Sequence, residues 1–223
     1  MLRRTSRCPH GATMIRVLIA DDHPVVRQGI RHMIEGDGDI SVTGEVGSGT
    51  ELLEKARQCP HDVILLDISM PGMSGIEALK QLSGARPPVP VLVISMHPEE
   101  QYALRAIRAG ASGYLNKEAP PEELTRAIRK VAAGGKYVSP SLAESLATMV
   151  GSQGGRPPHE SLSDREYEVM TLLASGKPAV QIAEELALSP KTISIYRSRI
   201  LSKLGLKNTA QLVRYALQNN LAR

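Results

Sequence analysis

From residue 15 onward, short apolar runs rich in β-branched side chains alternate with segments whose apolar positions recur every three or four residues. The runs occupy 15–20, 40–46, 63–66, 89–94 and 113–115, and they predict strands. Helical periodicity fills 25–34, 50–57, 76–82 and 100–109 between them, and 121–131 after the last. Five such βα units predict an α/β fold, a parallel sheet with helices on both faces. Residues 63–66 read Val-Ile-Leu-Leu with no polar alternation, as a central strand covered on both sides requires. Pro121 stands at the first turn of its helix, where a missing N–H costs little.

Gly134-Gly135 ends that helix, and an irregular connector follows with a short helix expected over 141–149. Gly151-Ser-Gln-Gly-Gly-Arg-Pro-Pro158 has the composition of a linker. Beyond it only helical periods remain, over 164–174, 179–186, 190–204 and 209–219. Ser163 and Glu166 are spaced for a capping box at the first of these. The chain thus divides into a disordered tail at 1–13, an α/β domain at 14–134, a linker at 135–160 and a small all-α domain at 161–223.

Composition narrows the function. Hydrophobic residues are 42% and charged residues 22% of the 223, the balance of a soluble globular protein. No apolar run approaches the roughly 18 residues of a membrane span. There are six Tyr but no Phe or Trp, which disfavours an aromatic platform for single-stranded nucleic acid. Cys8 and Cys59 read as reduced cytosolic thiols. The tail carries Arg3, Arg4 and Arg7, but the apolar run after it is too short for a secretory signal, which needs about 7–15 apolar residues. Met14 is an alternative start, and a cytoplasmic location is expected. The net charge of +4 is unevenly spread: 14–136 holds 14 basic and 16 acidic residues, a net −2. After Glu185 come seven bases and no acid, which points to a polyanion at that end.

Ligands of an open parallel sheet bind at the carboxyl ends of its strands. There the sequence places Asp21-Asp22, Asp67 and Ser95, with Lys117 just after the fifth strand. Paired aspartates after one strand can merely cap a helix, and a single lysine is usually surface. Three carboxylates, a hydroxyl and an ammonium at successive strand ends ask for more. The carboxylates repel one another unless a cation intervenes, and a hard divalent ion such as Mg²⁺ suits them. Together these are the parts for phosphoryl uptake: Asp67 attacks, Mg²⁺ neutralises oxygens, and Lys117 and Ser95 hold the rest.

The segments Val17-Leu-Ile-Ala-Asp-Asp-His-Pro24, Val63-Ile-Leu-Leu-Asp-Ile-Ser-Met-Pro-Gly-Met-Ser-Gly75, Val91-Leu-Val-Ile-Ser95 and Gly110-Ala-Ser-Gly-Tyr-Leu-Asn-Lys117 resemble the receiver domain of bacterial two-component response regulators. The resemblance implies a flavodoxin-like fold with Asp67 as phospho-acceptor and Asp21 and Asp22 as the metal-binding pair. Asp22 and Asp67 would touch Mg²⁺ directly, with the Ser69 backbone carbonyl as the third protein ligand. Ser95 becomes the switch hydroxyl, Tyr114 the switch aromatic and Lys117 the invariant-type lysine of the pocket. A phosphoryl group adds about −1.5 to −2 of charge. It would draw Ser95 toward it and leave space for Tyr114 to turn inward, biasing the surface of 101–109 and 121–131.

In the all-α domain, 179–186 and 190–204 read as helix, tight turn, helix, with Ser189 capping the second and Pro190 at its first position. Ile193, Ile200 and Leu204 share a core stripe flanked by Tyr196 and Leu201. Lys191, Thr192, Ser194, Ile195, Ser198 and Ser202 lie on or beside the opposite face. Small hydroxyls and one Ile suit base edges and thymine methyls in a major groove, with Arg199 and Lys203 placed for phosphates. Leu162-Ser-Asp-Arg-Glu-Tyr-Glu-Val169, Ile182-Ala-Glu-Glu-Leu186 and Ser189-Pro-Lys-Thr-Ile193 resemble a LuxR-type helix-turn-helix. With both domains the chain is similar to response regulators of the NarL/FixJ family, although Ser194 and Tyr196 stand where many relatives have a basic residue and His. The resemblance implies that the helix at 209–219 pairs two DNA-binding domains.

The expected protein is therefore a transcription regulator and not an enzyme. A sensor histidine kinase would phosphorylate it, Mg²⁺ is its cofactor, and double-stranded promoter DNA its target. It would form a homodimer when phosphorylated; RNA polymerase is a further candidate partner, and a membrane is not. The alternatives are a phosphotransferase that turns over at Asp67, disfavoured because Ser69 stands where a second acid would act, and a constitutive dimer indifferent to phosphate.

Overall fold

The computed structural model describes residues 14–36, 38–84, 88–140, 142–144, 157–219 and 221. The tail at 1–13 lies outside these. Each apolar run becomes a strand: β1 (Ile15–Ala20), β2 (Ile40–Val46), β3 (Val63–Leu66), β4 (Val91–Ser95) and β5 (Gly113–Asn116). The intervening helices are α1 (Pro24–Glu35), α2 (Gly49–Gln58), α3 (Gly75–Ser83), α4 (Glu99–Arg108) and α5 (Pro121–Ala132). β4 starts two residues later than its apolar run because Pro90 has no N–H to give a ladder. Its carbonyl still accepts from the Ile64 N–H at 2.9 Å.

The strands are all parallel in the order β2-β1-β3-β4-β5. All four residues of β3 are buried, as its unbroken apolar run predicted. The order reverses between β1 and β3, where Ala20 is in register with Leu66. Asp21 and Asp67, each the next residue, are thereby set side by side. Tyr137, assigned from the sequence to the linker, forms a parallel bridge with Gly113 on the outer edge of β5. Of the expected helix at 141–149, residues 142–144 are helical, and the rest lies outside the described residues.

A 3₁₀ turn at Pro158–Ser161, which the sequence periods missed, leads into α6 (Asp164–Ala174), α7 (Ala179–Glu185), α8 (Pro190–Leu204) and α9 (Thr209–Gln218). The capping box forms as spaced: Ser163 and Glu166 exchange side-chain bonds with each other's N–H. Ser189 caps α8 by accepting from the Thr192 N–H, and Pro190 is its first residue. The turn between α7 and α8 holds Ala187 at a φ of 52°, a conformation few side chains adopt.

The second domain is docked on the first. One apolar cluster runs without a break from β3 and α4 into α6, through Tyr102, Ala103 and Ala106 to Tyr167 and Met170. Around it, Lys80 pairs with Asp164 at 2.6 Å and Arg108 with Glu160 at 2.8 Å. Arg105 donates to the Leu162 carbonyl at 2.7 Å, and its guanidinium lies 4.2 Å from the centre of the Tyr167 ring.

Candidate functional site

Four strand ends are turned in the same way. The N–H two residues on donates back to the last polar side chain: His23 to Asp21 (2.8 Å), Ser69 to Asp67 (3.2 Å), His97 to Ser95 (3.1 Å) and Glu118 to Asn116 (2.8 Å). Asp, Asn and Ser are the residues that make this local turn, so one chemistry both stops the strand and lines the pocket. Asp21, Asp67 and Ser95 are buried, and Asp22 is half-buried at the rim.

Lys117 reaches across them. Its Nζ lies 2.7 Å from Asp67 Oδ2 and 2.6 Å from Asp21 Oδ2. Burial pushes the Asp67 carboxyl above the ordinary carboxylate value, and the Lys117 ammonium offsets only part of that. Burial alone would lower the Lys117 ammonium, but the two carboxylates outweigh it and hold it above its ordinary value. α3 starts tight against this loop: a Cβ on Gly75 would overlap the Asp67 carbonyl oxygen.

Asp21, Asp22, His23 and Asp67 offer ligand atoms that all lie within 4.8 Å of one another. Three carboxylates against one ammonium is a donor set for a hard divalent cation, so the residues fit Mg²⁺. His23 was not singled out in the sequence, although it flanks the acidic pair; its Nδ1 lies 2.8 Å from Asp22 Oδ1. Arg27 was also missed, and it donates to the Asp21 carbonyl at 2.6 Å.

Tyr114 is buried, 2% exposed, and its hydroxyl donates to the His97 carbonyl at 2.8 Å. His97 is a third residue that the sequence left unmarked. Its position two residues after Ser95, matching Ser69 after Asp67, was the available signal.

On α8, Ile193 and Ile200 are fully buried, and Tyr196, Leu201 and Leu204 pack beside them, as the stripe predicted. Lys191, Ser194, Ile195, Ser198, Arg199, Ser202 and Lys203 are exposed, and Thr192 is half-buried. Two of the hydroxyls are engaged locally, Ser194 with the Pro190 carbonyl at 3.1 Å and Thr192 with Ser189 at 2.8 Å. Lys203 is also engaged: its Nζ lies 2.6 Å from Glu166 Oε2.

A buried acidic pocket with a bridging lysine on a parallel sheet, joined to a helix-turn-helix whose second helix carries no acid, defines a response regulator. Residues 17–129 match the response regulator receiver domain, and residues 160–216 match the bacterial regulatory proteins of the luxR family. Response regulator UvrY of Escherichia coli (strain K12) is 36% identical over 209 residues, spanning 93% of this chain and 96% of that protein. Response regulator GacA of Pseudomonas aeruginosa is 37% identical over 209 residues, spanning 93% and 98%. The response regulator RcsB of Salmonella typhimurium, solved in a study of DNA interaction, superposes with a TM-score of 0.66 at 28% identity over 93% of this chain and 98% of that one. The chain belongs to the two-component response regulators of the NarL/FixJ family, transcription regulators rather than classical enzymes, with a receiver domain and a LuxR-type DNA-binding domain.

Proposed function

We propose that a sensor histidine kinase phosphorylates this regulator on Asp67, and that the phosphorylated form binds promoter DNA as a homodimer. The observation that supports it most is Lys117 held between buried Asp67 and buried Asp21. Asp67 is the one of the three pocket acids that follows the central strand, and it has Lys117 on one oxygen and the Ser69 N–H on the other. An oxygen of Asp67 attacks phosphorus, the bond to the donor imidazole breaks, and that nitrogen leaves with a proton. Lys117 and the Ser95 hydroxyl then hold two phosphoryl oxygens. Tyr114 is already turned inward onto the His97 carbonyl, not waiting outside as the sequence suggested, and the shift of Ser95 holds it in that position.

Asp22, Asp67 and the Ser69 carbonyl would hold Mg²⁺, with Asp21 supporting them. The ion supplies charge neutralisation at the transferred group. Burial of the pocket excludes bulk water from the acyl phosphate.

The DNA reading rests on α8. Its exposed Lys191, Ser194, Ile195, Ser198, Arg199, Ser202 and Lys203, with Thr192 at the cap, form a face that enters the major groove. α9 would pair two such domains, RNA polymerase is a further partner, and the location is cytoplasmic. No helix among the described residues is long and apolar enough to cross a membrane.

The test is mobility on a phosphate-affinity gel after incubation with acetyl phosphate and Mg²⁺. The wild type is expected to give a shifted band that Asp67→Ala lacks. No shift in the wild type refutes the acceptor assignment, and sustained phosphoester turnover favours the phosphotransferase.

A further inference from the structure

His97 is a four-way junction. Its N–H donates to Ser95 Oγ at 3.1 Å, and its carbonyl accepts from the Tyr114 hydroxyl at 2.8 Å. Its Nε2 lies 2.8 Å from Ser69 Oγ, which ties the β4–α4 loop to the β3–α3 loop beside Asp67. Its ring stacks on Tyr102, with centroids 4.4 Å apart and planes at 25°. One residue therefore touches the switch hydroxyl, the switch aromatic, the loop of the acceptor and α4.

Tyr102 carries the contact onward into the other domain. Its ring is buried, and its hydroxyl shares a hydrogen bond with Thr171 Oγ1 of α6 at 3.0 Å. Its ring meets that of Tyr167 nearly at right angles, with centroids 5.3 Å apart, and the Tyr167 hydroxyl donates to the Gln101 carbonyl at 2.8 Å. α6 also reaches the acceptor loop directly, since Arg165 donates to the Gly72 carbonyl at 3.0 Å. Beside that contact, Glu168 is buried in the seam and paired with Arg165.

We propose that His97 and Tyr102 are positioning residues of a second coupling route, Ser69–His97–Tyr102–Thr171, through which docking of the DNA-binding domain and phosphoryl occupancy of Asp67 oppose each other. The proposal rests on Asp67 being the acceptor. A phosphoryl group recruits the Ser95 hydroxyl and the Ser69 N–H, and so shifts the two side-chain oxygens, Ser95 Oγ and Ser69 Oγ, that now fix His97. Moving His97 removes the stacking that holds Tyr102 against Thr171. The added charge also falls near Glu168, whose carboxyl burial already pushes up, with Asp67 adding to the rise against Arg165. Two sites linked in this way are coupled reciprocally: what disfavours docking is in turn disfavoured by docking. The Ser95–Tyr114 pair meets the route at His97.

The probe is beryllofluoride, a non-covalent phosphoryl mimic, titrated with Mg²⁺ into the full chain and read as the bound ¹⁹F resonance. Thr171→Val keeps the shape of the side chain, lies in the other domain and removes only the hydroxyl. It is expected to lower the half-saturating concentration by about 5-fold or more, as is Tyr102→Phe. In a His97→Ala background, adding Thr171→Val should change nothing further. An unchanged midpoint in both single variants overturns the route, and so does an equal shift from Thr171→Val with and without His97. If circular dichroism shows that Thr171→Val unfolds the helical domain, Tyr102→Phe alone decides. A wild type with no bound resonance refutes the acceptor assignment itself, whereas binding that Asp67→Asn abolishes confirms it and leaves the midpoints to judge the route.

Discussion

Lys203 Nζ lies 2.6 Å from Glu166 Oε2, so the cation proposed to meet DNA phosphate is also the counter-ion of a buried capping acid. Burial pushes the Glu166 carboxyl up, but Lys203 and the cap bonds of Ser163 outweigh it and hold it below the ordinary value. Lys203→Ala should therefore have two effects. Losing the partner of a buried carboxylate should cost about 1–3 kcal/mol of stability in urea unfolding. DNA affinity should fall alike for all sequences, with a salt slope shallower by about 1 in a gel-shift titration. Full affinity with reduced stability would leave Lys203 a purely internal counter-ion. Ser198→Ala, by contrast, should alter sequence preference with little change in the unfolding midpoint.

Mg²⁺ should stabilise the receiver domain by mass action. Three carboxylates share one ammonium, so a bound divalent ion relieves repulsion present only in the folded chain. At a hundredfold excess over its dissociation constant, the ion should add about 2.7 kcal/mol, seen as a rise in Tm that EDTA reverses. Asp22→Asn should abolish most of that rise while leaving the fold intact, because Asp22 is at the rim and its side chain is 26% exposed. An undiminished rise in Asp22→Asn would remove this residue from the ligand set.

Two glycines should respond oppositely to Ala. Gly75→Ala places a Cβ against the Asp67 carbonyl oxygen and the Ile68 Cα, and should cost at least about 1–3 kcal/mol together with phosphorylation. Gly29 lies inside α1 with nothing within 4 Å of a new Cβ. Gly29→Ala should gain about 0.5–1 kcal/mol by helix propensity, measured by the same unfolding curves.

His61 should make the fold acid-sensitive. Burial lowers its imidazole below the ordinary 6.5, and Nδ1 is 2.9 Å from Thr43 Oγ1. Above 6.5 both folded and unfolded chains hold it neutral, so its contribution is complete there. As pH falls through that value the unfolded chain takes up the proton first, and stability is lost until the folded chain titrates too. Tm should thus fall as pH drops through 6.5, with His97 and His159, also lowered by burial, adding to the slope, and His61→Asn should reduce it. An identical slope in the variant would assign the acid sensitivity to other groups.

The pocket was legible because strands covered on both faces must be apolar throughout. A polar residue ending such a run stands out, and Asp21, Asp67 and Ser95 did. The exposed face of α8 was legible for a related reason, since Ile193 and Ile200 fix which side of α8 is core and leave the other side defined. Periodicity failed where it carries no information. It missed the 3₁₀ turn at Pro158–Ser161, and it began β4 too early across Pro90.

What the sequence determined by itself was therefore the set of elements, the face each one buries and the chemistry at each strand end, all of which depend on neighbours a few residues away. The tertiary structure alone decided which elements meet. Strand order brought Asp21 beside Asp67, and docking of α6 on α4 joined Tyr102 to Thr171 across 69 residues of chain. It also turned Lys203 inward to Glu166 and made His97 a junction. Local pattern records whether a side chain is buried, but the partner it is buried against depends on long-range packing that many arrangements of the same amphipathic faces could satisfy.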